Sequence, residues 1–357
     1  MKINKINMVN FRNYNKLSLD KLENINIIIG NNGTGKTTIL EAIYFCSLTK
    51  TFKGGSERAL IKENEENLKV LVTLTDNEVI RKLQVLYNKD GKKAKINNNK
   101  QKKLSEYISN YKVVVYSPDE IRLIKDSPNI RRNYFNIQIT QIYKDYLKKL
   151  FNYNLLIKNK NEYLKKMYIN NTMDDKYLDI IDEKIVIIGK EINNYRSDYI
   201  NKINKYMNSI FRKYKPNEKV FIKYVSDFNN KKEDELLRSI KKNRKKDIIL
   251  GVMSFGVHRD DYEFLHNDRL ARDYSSQGIQ KLLILSLKFS ELELLMKDYY
   301  IIPVLLLDDL FSELDKKNQN QVLKNLDNKV QTFITGTDLK YIDTKIIKKA
   351  KIIELDE

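Results

Sequence analysis

INIIIGNNGTGKTTILEAIYF, running from Ile25 to Phe45, is the stretch whose reading decides the fold. Its apolar run Ile25–Ile29 reads as a buried strand that stops at Gly30. The apolar residues Ile39, Leu40, Ile43, Tyr44 and Phe45 then surround a segment long enough for a buried helix. Between them GNNGTGKT, Gly30 to Thr37, fits G-x-x-x-x-G-K-[ST] in the strand-to-helix context its chemistry requires. Glycine is needed because backbone N–H groups must turn inward onto phosphate with no Cβ in the way, and the helix N-terminus adds its dipole. Lys36 would reach the β- and γ-phosphates, and the Thr37 hydroxyl would ligate Mg2+. Gly30, Asn31, Asn32, Gly33, Thr34, Gly35, Lys36, Thr37 and Thr38 are therefore read as an ATP-binding loop.

Its partner lies far downstream, where VLLLDD, Val304 to Asp309, is an apolar strand ending in two carboxylates, a Walker B pattern. Asp308 would hold Mg2+ through its water shell, and Asp309 stands where a carboxylate can polarise the attacking water. Most ABC ATPases carry Glu there; Asp is one methylene shorter, so slow hydrolysis is expected. SSQGIQK, Ser275 to Lys281, resembles the LSGGQ signature of ABC ATPases. At a helix N-terminus, Ser276 and Gly278 would present a hydroxyl and backbone donors to the γ-phosphate of a nucleotide bound by another subunit. The stretch departs from the signature at Ile279, where Gln is usual, and at Gln277. FSELD, Phe311 to Asp315, follows the Walker B strand as a D-loop does.

The remaining chain is organised around these motifs. Alternating apolar positions before Ile25 read as short strands, and residues 68–98 as strands around an Asp90-Gly91 turn. Lys92, Lys93 and Lys95 at that hairpin are either a solvated tip or a contact for a polyanion. Ile130 to about Lys213 has almost no Gly or Pro and apolar residues at helical spacing, so a helical insertion is expected, with its tyrosines mainly as core filling. The block KKEDELLRSIKKNRKK, Lys231 to Lys246, reads as an exposed loop or helix end that could touch phosphate backbone. Beyond it strand and helix alternate. The fold class is α/β: an ABC-type P-loop ATPase head without a long coiled coil. Residues 1–115 plus 300–357 are expected to form the nucleotide-binding lobe. Residues 116–299 would form a largely helical lobe carrying the signature.

A chain of 357 residues that is 41% hydrophobic can bury a sizeable core. Its longest apolar stretch, Ile301 to Leu307, is far short of the ~18 residues that span a bilayer, and MKINKINMVN is no apolar leader, so a cytoplasmic protein is expected. The lone Cys46, among apolar neighbours, reads as a buried thiol. A formal charge of +19 suggests a polyanionic partner, although Lys, Asn and Ile are abundant throughout.

In order along the chain, VNFRNY (Val9–Tyr14), the P-loop block, YSPDEIRLIKDSPNIRRNYFN (Tyr116–Asn136), GVHRDDYEF (Gly256–Phe264), SSQGIQK, PVLLLDDLFSELD and QTFITGTDL (Gln331–Leu339) resemble the blocks of the RecF family. The SPDEIRLIKDSP and HRDD blocks are the most specific. Such a resemblance implies a two-lobed head similar to SMC heads, an ATP-dependent homodimer, and DNA-stimulated slow hydrolysis. It also implies action at gapped DNA or single-strand/double-strand junctions with RecO and RecR. Arg12 matches a position near the nucleotide in this superfamily, and is either such a contact or a surface arginine. Where many ABC ATPases have a switch histidine, this chain has Thr337 and Asp338. His258 reads as structural. Lys36 and Ser276 are 240 positions apart (276 − 36), which leaves no room for the long coiled coil of SMC proteins. Other genome-maintenance heads and transporter nucleotide-binding subunits share the P-loop and Walker B. The long span between motifs disfavours the transporter.

Overall fold

A helix that is apolar all round has to be buried all round, and the helix after the P-loop, Lys36–Leu48, is buried at every residue but Thr37. In the computed structural model, which describes all residues except 77, 109, 171–174, 311–313, 315, 325, 327, 341, 343 and 356–357, this helix packs against strands of two sheets. One sheet has five parallel strands in the order Ala350–Glu354, Ile25–Ile29, Thr332–Gly336, Val304–Leu307, Val113–Tyr116. Its central strands are apolar runs, as a sheet covered on both faces requires. The other sheet is antiparallel, in the order Tyr14–Leu19, Lys2–Phe11, Asn67–Asp76, Val79–Asn88, Gly91–Ile96, Asn99–Lys100. Here apolar and polar residues alternate, so one face is dry and the other wet. Cys46 is fully buried, and burial pushes its thiol up to about 12.

Contacts divide the chain into two units, Met1–Ile121 with Ser209–Glu218 and Ser276–Glu357, and Arg122–Asn208 with Lys219–Ser275. By contact the chain returns to the first unit at Ser276 rather than at 300. The reason is that helix Gln277–Glu293 packs on strand Val113–Tyr116 and the turn Pro118–Ile121. Lys288 of that helix donates to the buried Glu120, whose carboxyl burial pushes up to about 7 although Lys288 pulls the other way.

The second unit contains helices Pro128–Ile142, Lys144–Asn170 and Glu233–Leu250, most of Asp175–Arg212, and a three-stranded sheet. Tyr146 and Tyr153 are core residues, whereas Tyr168 is exposed. The block Lys231–Lys246, expected as a loop or helix end, lies almost wholly within the helix Glu233–Leu250. Three features make it helical. Glu233, Asp234 and Glu235 fill the first turn near the positive dipole end, Glu235 accepts the Lys232 backbone N–H at 2.7 Å, and left-handed Gly251 closes the C-terminus.

The two family-specific blocks meet in this unit. Arg131 forms a two-pronged ion pair with Asp261 at 2.6 and 2.9 Å, and Arg132 donates to the Asp260 carbonyl at 2.8 Å. The Asp260 carboxylate accepts from buried Arg196 at 2.6 Å and from Tyr224. His258 is bonded on both ring nitrogens, to Tyr153 at 3.1 Å and to the Met253 carbonyl at 3.0 Å.

Candidate nucleotide site

The P-loop leaves the C-terminal end of strand Ile25–Ile29, the edge of a parallel sheet where ligands collect. Gly33 and Gly35 have φ of 92° and 94°, the left-handed region that favours glycine. A Cβ on Gly35 would lie 2.7 Å from the Tyr14 ring and 2.8 Å from Asn13, and one on Gly30 would lie 2.8 Å from the Leu355 carbonyl. The loop is further braced by the Tyr14 hydroxyl, which donates to the Thr34 carbonyl at 2.8 Å, and by Thr34 Oγ1, which donates to the Asn31 carbonyl at 3.0 Å. Lys36, almost buried, folds its ammonium over the loop and donates to the Gly30 and Asn31 carbonyls at 2.8 and 2.7 Å.

The Thr37 hydroxyl donates to Asp308 Oδ1 at 2.8 Å, joining P-loop and Walker B strand across 271 residues. Asp308 is buried, and this raises its pKa against the pull of hydrogen bonds from Thr37 and Thr335 and of the Lys53 charge. Two oxygens held side by side are the donor set a hard divalent cation takes. Asp309 is in the left-handed region at φ 47°, with its N–H donated to Thr335 Oγ1 at 2.9 Å. Asn32, Gly33, Gly35, Lys36, Thr37, Thr38 and Asp309 line one cleft of about 620 Å3, a volume suited to a small ligand. Arg12 lines the same cleft, but its guanidinium forks onto the buried Glu41 at 2.8 and 2.7 Å and donates to the Ala59 carbonyl.

Ser276 caps helix Gln277–Glu293, its hydroxyl accepting from the Ile279 N–H at 3.4 Å, and Gly278 lies in that helix's first turn. Neither lines the cleft. Most of FSELD, Phe311–Asp315, lies outside the described residues. Among the described residues no group of three or more His, Cys, Asp and Glu side chains is placed to hold a metal, and no helix is long and apolar enough to cross a membrane.

Sequence reasoning gave no role to Thr335, Tyr14, Asn13 or Lys53. Thr335, a polar residue closing an apolar strand beside Walker B, donates to Asp308 at 2.9 Å. That polar end was a usable signal. The exposed Lys53 and Asn13 line the cleft from loops, where no periodic pattern marks them.

The family described as RecF/RecN/SMC N terminal domain matches residues 2–349. The DNA replication and repair protein RecF of Lactobacillus johnsonii is 36% identical over 97% of this chain and 95% of its own length. That of Clostridium botulinum is 38% identical over 98% and 96%. The solved structure described as the recombination mediator protein RecF-ATP in the RecFOR pathway matches with a TM-score of 0.89 and 34% identity, over 96% of this chain and 93% of that one. An Smc head bound to a ScpA domain matches at 0.55 and 17% identity, which is likeness of fold. With relatives aligned from end to end and the P-loop fastened to the Walker B strand, the chain belongs to the RecF family of DNA replication and repair proteins.

Proposed function

We propose that this chain is an ATP-dependent DNA-binding ATPase of recombinational repair and replication-fork maintenance. In this reading ATP with Mg2+ occupies the cleft, two copies close on shared nucleotides, the dimer holds gapped or junction DNA, and slow hydrolysis resets it. The observation that carries it is the 2.8 Å bond from Thr37 to Asp308, which sets a hydroxyl and a carboxylate together beside a glycine cradle. Mg2+ would be held by Thr37 and Asp308 and supply charge neutralisation at the phosphates. Lys36 would exchange its two carbonyl partners for phosphate oxygens, and the loop N–H groups would bind the rest. Asp309 would orient and polarise water. Ser276 and Gly278 would serve the site of a second copy. Arg12 would act by fixing the cleft wall through Glu41 rather than by a free guanidinium. Membership of the family and the RecFOR relative support RecO and RecR as partners.

The test is nucleotide affinity together with ATP-dependent binding of gapped, single-stranded and duplex DNA, for the parent and for Lys36→Ala. The variant should keep its far-ultraviolet spectrum and lose nucleotide binding and all ATP-dependent DNA binding. Parental ATP affinity in Lys36→Ala would remove the reading.

A further inference from the structure

The inner face of the antiparallel sheet packs on the P-loop helix; its outer face is distinguished by charge of one sign. Directly paired residues share a face of a sheet, so the register assigns every outward position. Lys16, Val9, Lys69, Leu86 and Lys93 form one row across five strands. In the next row Gln84 pairs with Lys95 and Lys95 with Lys100, and in a third Lys5 and Lys82 flank Thr73. The other outward positions carry Asn, Ser, Thr, Gln, Gly and a few aliphatics, plus Lys2, which pairs with Glu23; none carries a carboxylate. Among the described residues, Lys93 pairs at 3.9 Å with exposed Asp90 of the hairpin tip, whereas Lys5, Lys16, Lys69, Lys82, Lys95 and Lys100 have no ion-pair partner, and all but half-buried Lys5 are exposed. In a chain with 47 Asp and Glu, this absence of acid is not what an ordinary solvated face presents. Lys92 separates from its neighbours: it points inward to pair with Glu57, while Lys93 and Lys95 point out.

We infer that the outer face of this six-stranded sheet is a contact surface for the phosphate backbone of nucleic acid. The assignment rests on the DNA-binding function proposed above. Four strand spacings of about 4.8 Å put Lys16 and Lys93 roughly 19 Å apart, with Lys69 midway, a track long enough for several phosphates. The charges are all lysine. Point charges without the planar fork of arginine grip phosphate but do not read base edges, so the contact is independent of sequence. An acidic protein fits less well, because the face offers no aromatic or arginine anchor and lysine is depleted from protein interfaces.

The experiment compares full-length parent, K69Q/K93Q/K95Q, and a control with as many neutralised basic residues, R238Q/K242Q/K245Q on helix Glu233–Leu250, for duplex binding with ATP across a salt series. The sheet variant should bind roughly a hundredfold more weakly near physiological salt, and its log K against log salt slope should fall by about 2.7, some 0.9 for each phosphate released. Its ATP affinity and melting temperature should stay parental, and the control's slope should not fall. A parental slope in the sheet variant while the parent binds DNA overturns this surface and leaves the proposed function standing. Loss of binding to a polyglutamate peptide with undiminished DNA binding assigns the face to an acidic protein and also overturns it. A parent that binds no DNA with ATP removes the proposed function and this surface with it.

Discussion

Two adjacent carboxylates at the end of one strand are held in unlike settings. Asp308 is buried and accepts two threonine hydroxyls, whereas Asp309 is half-buried, lines the cleft and has a left-handed backbone. Asparagine tolerates that backbone as well as aspartate does, so Asp309→Asn should keep the turn and ATP binding while losing the carboxylate. Turnover should fall about a hundredfold or more, measured as steady-state phosphate release; an unchanged rate with ATP bound would show that Asp309 does not act on water. Arg12 behaves differently. Its removal leaves the buried Glu41 with the Thr51 hydroxyl but without its cation, so Arg12→Ala should cost about 2–3 kcal/mol of stability in a denaturant titration; a loss under 1 kcal/mol, as for an exposed pair, would show the fork to be dispensable. At this scale the P-loop was legible, because its glycines, lysine and threonine are consecutive and their chemistry is local. Thr335 was legible only in part. Its polar place at the end of an apolar strand marks it, but its bond to Asp308 exists because Leu307 pairs with Ile334 in parallel register, and that register is not encoded locally.

The elements of the second unit are fastened by charge pairs: Arg131 with Asp261 links the blocks Tyr116–Asn136 and Gly256–Phe264, and Arg196 of helix Asp175–Arg212 holds Asp260. These blocks were visible as sequence, but their partnership needed the fold, since 130 residues separate Arg131 from Asp261. The helix Glu233–Leu250 shows the opposite limit. Its charge density reads as an exposed loop or helix end, although the acid-first order and the final glycine are signals for the full helix. His258 has a pH consequence. Burial lowers its pKa from 6.5 to about 4, so the folded ring stays neutral where the unfolded chain is protonated. The unfolded state therefore binds the proton first, and stability falls as pH drops below about 6.5, the loss being complete below about 4. His258→Gln should be less stable than the parent at neutral pH, with the gap narrowing at about pH 5. A gap of constant size would show that the imidazole does not titrate on unfolding.

At the scale of the whole molecule, the proposed site would have the P-loop serve one side of a nucleotide, while Ser276 and Gly278 do not line the cleft of their own chain. Gly278 is informative because a Cβ there would meet nothing within 4 Å. No contact within the described residues requires glycine at that helix start, and the missing Cβ leaves the backbone N–H groups there open to a ligand from outside the chain. Two chains related by a two-fold axis would complete two sites, each shared between one copy's Lys36 and the other's Ser276. Dimerisation should then require ATP and reverse with ADP, since only the γ-phosphate reaches both halves. Ser276→Arg should bind ATP with parental affinity yet sediment as a monomer, because a bulky cation at a helix N-terminus blocks the approach and opposes the dipole. Gly278→Ala should fold normally and dimerise more weakly. Mixing Ser276→Arg with Lys36→Ala is the sharper test: their heterodimer contains one intact composite site and one with both halves broken, so association and part of the turnover should return. A dimer that forms without nucleotide, or Ser276→Arg dimerising normally with ATP, would reduce the signature-like stretch to a helix cap.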